Sequence, residues 1–219
     1  RDKGGEAGIL LVAADMGFAK SWGFFVQGME LKSQVQAKEA LRNAELARNL
    51  SKTANDRSGQ ALALLSIGNA HLMLKDAESA SSAASECMAL CEELGHEQGR
   101  AGAQLIAAGA HLMQGRADAA SHSASEARRL FRQRMDGLGD QAVGGFLKDV
   151  KAFEAGEFNK DNFAGFYLRG ADSFQPMPAE VAAKTSRREE SKRAQKATSM
   201  LSTIQIFAPG GEPQVFFDG

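Results

Sequence analysis

Apolar positions recur along most of this chain at helical spacing, in segments that short polar turns separate. Between residues 16 and 134 they fall three or four positions apart, which is the spacing of an amphipathic helix. β-branched residues are scarce there and alanine is abundant, and both features favour helix. The pattern predicts an all-α chain with paired helices over about 16–33 and 36–49, 57–74 and 77–93, and 97–113 and 117–134.

The predicted helix pairs repeat with a period of 40 residues. The letters AHLM at 70–73 return at 110–113. Further residues keep their type after the same interval: Ala77, Ala80, Ala84, Ser85, Glu86 and Leu90. A fixed period of this size is typical of a solenoid, in which each unit buries its apolar face against the next.

The repeats are predicted to occupy residues 16–170, in units of about 16–54, 55–94 and 95–136. Glycines crowd the stretch 137–145, so the fourth unit, 143–170, is expected to be a degenerate terminal repeat with helices over about 143–155 and 160–169. Residues 1–15 are expected to form a leader segment. Two prolines, Pro176 and Pro178, then separate a region at 171–219 that is expected to be a helix followed by an extended tail.

Composition narrows the range of functions. The 219 residues include 26 basic and 27 acidic side chains, a net charge of -1 that gives no general attraction to nucleic acid or acidic membranes. With only two cysteines, no disulfide framework is expected and a reducing compartment is favoured. Because the sequence opens at Arg1, we expect a processed form or a fragment. The cytoplasm and an organelle such as a plastid or mitochondrion, after loss of a targeting peptide, both stay open.

The stretch from Gly8 to Met29 is apolar enough to raise the question of a membrane span. Asp15, Lys20 and Gln27 interrupt it, and charges at bilayer depth are costly. No transmembrane span is therefore expected, although peripheral association with a membrane complex stays open.

The repeat resembles the tetratricopeptide family, in the 40-residue variety of kinesin light chains and Pins-type spindle-orientation adaptors. The family places a small residue where two helices cross, and Gly28, Gly68 and Ala108 match it. Small residues on the second helix match as Ala40, Ala80 and Ala120, whereas the family's large aromatic is replaced by Leu31, His71 and His111. The segment 66–70 is also similar to the Leu-Gly-Asn-Ala stretch of those adaptors. The resemblance implies an α-α superhelix whose first helices line a concave groove.

The resemblance assigns a mostly apolar set of residues to that groove. They are Trp22, Phe25, Met29, Leu62, Leu65, Asn69, Leu72, Met73, Leu105, Leu112 and Met113, with Lys32, Ser33, Gly102 and Gly109 beside them. Such a groove is suited to an amphipathic helix or an extended apolar segment, and methionines adapt to irregular partners. A clamp for a terminal carboxylate is disfavoured because leucines occupy its polar places.

The end of the chain carries a second set of candidate contacts. Its apolar residues are Ile204, Ile206, Phe207, Val215, Phe216 and Phe217. They are expected either to dock on the chain's own groove, helped by a high effective concentration, or to contact a neighbour.

No constellation of residues indicates catalysis. His71 and His111 repeat with the scaffold and are expected to be structural, and Cys87 and Cys91 lack further ligands for a metal. The basic runs at 128–134 and 184–196 are expected to be solvated faces, and aromatics do not interleave with them, so nucleic acid is not an expected partner. We expect neither an enzyme nor a cofactor nor a metal site.

The sequence therefore predicts a protein-interaction scaffold that binds an apolar helix or extended segment of another protein. The alternative is a permanent accessory subunit of a large complex, which the apolar stretch at 8–26 and the missing initiator Met favour. A repeat region cut from a larger enzyme is a third interpretation. Replacing Leu65 and Leu105 by charged residues is expected to abolish partner capture.

Overall fold

The computed structural model describes residues 3–159, 162, 163, 165 and 166, all within the first of two compact units, Arg1–Met177. Over this range the chain forms seven α-helices and no strand: α1 (Lys3–Val26), α2 (Glu30–Thr53), α3 (Arg57–Met73), α4 (Ala77–Glu93), α5 (Glu97–Met113), α6 (Ala117–Gln133) and α7 (Gly137–Glu154). Each helix packs against the next, and α3 also packs against α1 and α5. The predicted all-α helical repeat is confirmed. The predicted region 171–219, with its apolar tail contacts, lies outside the described residues.

One turn geometry joins successive helices and sets the repeat. From α2 onward the middle residue of each turn has a positive φ and recurs every 20 positions, as Asn55, Lys75, Gly95, Gly115 and Met135. The next residue's N–H donates to a carbonyl five positions earlier, as from Asp56 to Ser51 at 2.9 Å, which closes the last helical turn. Asp76 and Asp136 cap the helices that follow by accepting a backbone N–H. Identical turns therefore impose the period on the helices.

Small residues on the second helices let the helices approach closely. Ala40, Ala80 and Ala120, the matches to the family's small positions, are all fully buried. The larger buried side chains lie mainly on the first helices, where Leu64, Leu105 and Ile106 are at most 1% exposed. The second helices thus contribute mostly alanine to the core, with Phe131 as the largest exception, and the first helices contribute most of the large aliphatic side chains.

The first helix pair differs from the prediction. α1 begins at Lys3, so residues expected to form a leader make the first half of this helix, because Leu11 and Phe18 sit at helical spacing and pack inward. Gly28 lies in the turn, with φ at 70°, rather than at a helix crossing. The close approach falls at Gly17 instead, where an added Cβ would stand 2.9 Å from the Cβ of Ala40.

The fourth unit also differs from the prediction. Its first helix, α7, begins at Gly137, because Asp136 caps it by accepting the Gly139 N–H. Gly139 is also a packing residue, since an added Cβ there would collide with the ring of Phe131. No α-helix is present at the described residues of 160–169, where Asn162 lies in a 3₁₀ turn and Gly165 has φ at 80°. A left-handed backbone of this kind ends helical structure. The chain instead returns across the first helices.

Candidate peptide-binding groove

The return segment, as we call Phe163, Gly165 and Phe166, lies against α3, α5 and α7. Phe163 and Phe166 are 6% and 8% exposed, although they belong to no helix. Their rings and that of Phe146 on α7 form a cluster with centroids 5.3–5.4 Å apart, and Phe166 meets both other rings edge to face. The surface beneath, which we call the inner groove, comprises Asn69, Leu72, Met73, Gly109 and Phe146.

Asn69 holds the backbone of the return segment. Its Nδ2 donates to the carbonyl oxygen of Phe166 at 2.7 Å, and the Phe166 N–H donates to its Oδ1 at 2.9 Å. The Asn69 side chain is fully buried on α3, so both polar ends must find partners inside the fold. One amide thus pairs with both backbone groups of a single residue, much as a neighbouring extended strand would.

Two glycines make room for this contact. A Cβ on Gly165 would stand 2.9 Å from Asn69 Oδ1 and 3.2 Å from the Leu72 Cβ. On the other side, a Cβ on Gly109 would stand 2.9 Å from Cε1 of Phe163. Real Cβ contacts are essentially never that short, so a side chain at either place would displace the segment.

Lys75, in the turn between α3 and α4, joins the segment to α1. Its ammonium donates to the carbonyl oxygen of Phe163 and lies 5.5 Å from the ring centre of Phe25. An ammonium over an aromatic face is attracted by the ring's negative face. The return segment therefore has polar side-chain contacts at two backbone positions, through Asn69 and Lys75.

Only some of the predicted groove residues lie in the inner groove. Asn69, Leu72 and Met73 face the return segment, and Gly109 accommodates Phe163. Leu105 and Leu112 are fully buried and Leu65 is 6% exposed, so all three lie in the core between helices. The remaining members lie elsewhere: Leu62 packs beside Leu11, Trp22 pairs with Phe25, Met113 is half-buried, and Met29 is exposed in the first turn.

Burial changes the mutational test of the groove. Replacing Leu105 by a charged residue would place an ionised group in the core, where its desolvation destabilises the fold. Loss of partner capture in such a variant would report unfolding, so Asn69 is the better residue for the test.

The sequence prediction missed the occupant of the groove. Phe146, Phe163 and Phe166 were not assigned to it, because helical periodicity was extended through 160–169. A signal was present: the second helices of the earlier units carry alanine at buried places, whereas 163–166 reads Phe-Ala-Gly-Phe. Bulky rings beside a glycine do not suit that small-residue layer.

The histidines and cysteines are placed as parts of the scaffold. His71 Nδ1 lies 3.3 Å from the carboxylate of Asp76, the cap of the next helix. Cys87 and Cys91 are buried with their sulfurs 3.8 Å apart, and the hydrogen bond between them lowers the pKa of Cys91. Among the described residues no group of three candidate ligands could hold a metal ion.

A second surface lies on the first helix pair. α1 is the one described helix whose length and composition would allow it to cross a membrane, with a mean hydropathy of 1.5 over its best window. A core helix or a signal sequence would meet the same criteria. Ile9, Val12 and Met16 form an apolar stripe along α1 and are 58–71% exposed. Leu31 and Val35 of α2 are also exposed.

No family model, curated protein or solved structure matches this chain. The inner groove and the apolar stripe on α1 are therefore the two features of the molecule that point to a function.

Proposed function

We propose that this protein is an interaction scaffold of the tetratricopeptide type, whose inner groove binds an extended segment of another protein. The observation that carries the proposal is the pairing of Asn69 with both backbone groups of Phe166. Of the two ligand forms expected from the sequence, this contact favours the extended one, because a helix uses its own backbone groups internally.

The groove combines a contact that suits any backbone with contacts that select side chains. Each hydrogen bond to Asn69 contributes about 0.5–1.5 kcal/mol net, whatever residue supplies the backbone. Burying a phenylalanine contributes about 1.5–3 kcal/mol, which smaller or polar residues would not supply. Affinity would come from both terms and selectivity mainly from the second.

Capture from the protein's own cells tests this function. The full chain, Asn69→Ala and the control Asn49→Ala would be tagged, cross-linked through lysine and compared by quantitative mass spectrometry. Asn49 is exposed on α2, so its replacement leaves the groove intact. We expect a partner that cross-links to Lys75 and is lost in Asn69→Ala but kept in Asn49→Ala. Equal capture by all three proteins would contradict the proposal.

The apolar stripe on α1 favours a second candidate function, a permanent subunit of a larger complex. Helices of a soluble solenoid usually present polar residues to solvent, yet Ile9 on α1 is 71% exposed. Size-exclusion chromatography with light scattering on native protein separates the candidates. A mass equal to that of one full-length chain indicates an exchangeable scaffold, and a much larger stoichiometric particle indicates a fixed subunit.

A further inference from the structure

The occupant of the inner groove is part of the same chain, and its sequence has a definite form. The two groove-facing rings belong to Phe163 and Phe166, and the residue before the second ring is Gly165. We propose that the groove recognises a non-helical Phe-x-Gly-Phe segment that turns at its glycine, and that Phe163, Gly165 and Phe166 are an internal copy that a partner's segment of the same form displaces. This inference rests on the function proposed above.

The geometry specifies each fixed position of that form. The first ring needs the space that Gly109 leaves on α5, and the second packs edge to face on Phe146 at 5.4 Å. The glycine has φ at 80° and stands where a Cβ would meet Asn69 Oδ1. A segment with any other residue at that place would combine backbone strain with a steric clash.

The internal copy is joined to the scaffold in a way that permits release. It follows the turn after α7, where Gly156 has φ at 74°, and its polar contacts run to the Asn69 and Lys75 side chains. The helices beneath pack on one another in sequence, α3 on α4 and α5, and α6 on α7. Release would expose the ring of Phe146 and part of the groove while those helix contacts persist.

Competition between the two copies can be given a magnitude. A segment tethered through a short connection has an effective concentration of about 1 mM. If a free peptide with the same contacts has a dissociation constant of about 10 µM, the internal copy occupies the groove about 100 times more often than it leaves it open. The intact chain should therefore bind such a peptide about 100-fold more weakly than a chain whose own copy is disabled.

A matched pair of glycine variants in the full chain tests the proposal. Gly165→Ala disables the internal copy. Gly156→Ala is the control, because Gly156 also has a positive φ but no atom lies within 4 Å of a Cβ added there. The probe is a fluorescein-labelled peptide with the sequence of residues 158–169, followed by fluorescence anisotropy. We expect Gly165→Ala to bind it about 100-fold more tightly than the intact chain, and Gly156→Ala to behave like the intact chain. A peptide with alanine in place of its glycine should not bind.

Hydrogen exchange on the unmodified chain supplies an independent measurement. The Phe166 amide should exchange through local opening with a protection factor of about 100, well below that of buried amides in α3. Excess peptide should raise its exchange rate. The proposal is overturned if the Phe166 amide exchanges as slowly as the buried amides of α3. It is also overturned if Gly165→Ala unfolds, or if this variant stays helical but does not bind the peptide. A partner that still depends on Asn69 would then leave the proposed function standing.

Discussion

Replacing Asn69 by alanine removes both hydrogen bonds that hold the backbone of Phe166. Their net loss is about 1–3 kcal/mol, taken as two bonds of about 0.5–1.5 kcal/mol each. If the return segment stayed in place, its buried N–H and carbonyl would add a further desolvation penalty of about 1–3 kcal/mol each. The segment can avoid that penalty by leaving the groove, where water satisfies both groups.

Release sets a ceiling on the loss of stability. An occupancy ratio of about 100 corresponds to about 2.7 kcal/mol, the most that closure of the segment can contribute to the free energy of unfolding. Asn69→Ala and Gly165→Ala act on the same closure. We therefore expect each single variant, and the double variant as well, to cost at most about 2.7 kcal/mol.

Urea unfolding followed by helical circular dichroism measures these differences. Asn49→Ala, exposed on α2, is the control for the change in helix propensity and should shift the midpoint little. A double variant that costs clearly more than about 2.7 kcal/mol would refute the reasoning. The two residues would then stabilise the fold through separate contacts, and the segment would not open as one unit.

Two further predictions concern stability away from the groove. Met135 is 92% exposed and has a left-handed backbone with φ at 55°. Because glycine adopts such a φ without strain, Met135→Gly should raise the free energy of unfolding in urea by about 0.5–1 kcal/mol. A gain of the same size in Met135→Ala would contradict backbone strain as the cause. Burial raises the pKa of Asp15 to about 6, above its unfolded value of 3.8, so the native state loses stability as pH rises from about 4 to 6. Asp15→Asn should therefore gain up to about 2 kcal/mol at pH 7 and nothing at pH 3.5, and a pH-independent difference would refute this origin.

The helices of the two regular units could be predicted almost to the residue. The prediction for α4 was 77–93 and for α5 97–113, and both agree with Ala77–Glu93 and Glu97–Met113. The reason is local: each turn is encoded by its own residues, including a left-handed position such as Gly95 and a capping carboxylate such as Asp76. Turn and capping residues that lie within six positions of one another can be recognised from the sequence without knowledge of the tertiary fold.

The first pair was misread because its helices are longer. α1 and α2 have 24 residues each, whereas α3 to α6 have 17, so the turns at Gly28 and Asn55 are 27 positions apart rather than 20. Seven residues make nearly two complete helical turns and keep the same face inward. The hydrophobic pattern therefore continues without a break, and a fixed 40-residue register aligns Gly28 with the wrong position of the next unit.

The 40-residue repeat predicts the fold but not the contacts of the inner groove. Asn69 and Gly109 are equivalent positions of two successive units, and the four residues after each are identical, 70–73 and 110–113. Where a scaffold repeats its residues it repeats its packing. At positions 69 and 109 the side chains differ: on α3 Asn69 holds the Phe166 backbone, and on α5 Gly109 leaves space for the Phe163 ring. A polar residue and a glycine at equivalent positions, beside four repeated residues, therefore let one groove make two different contacts with the return segment.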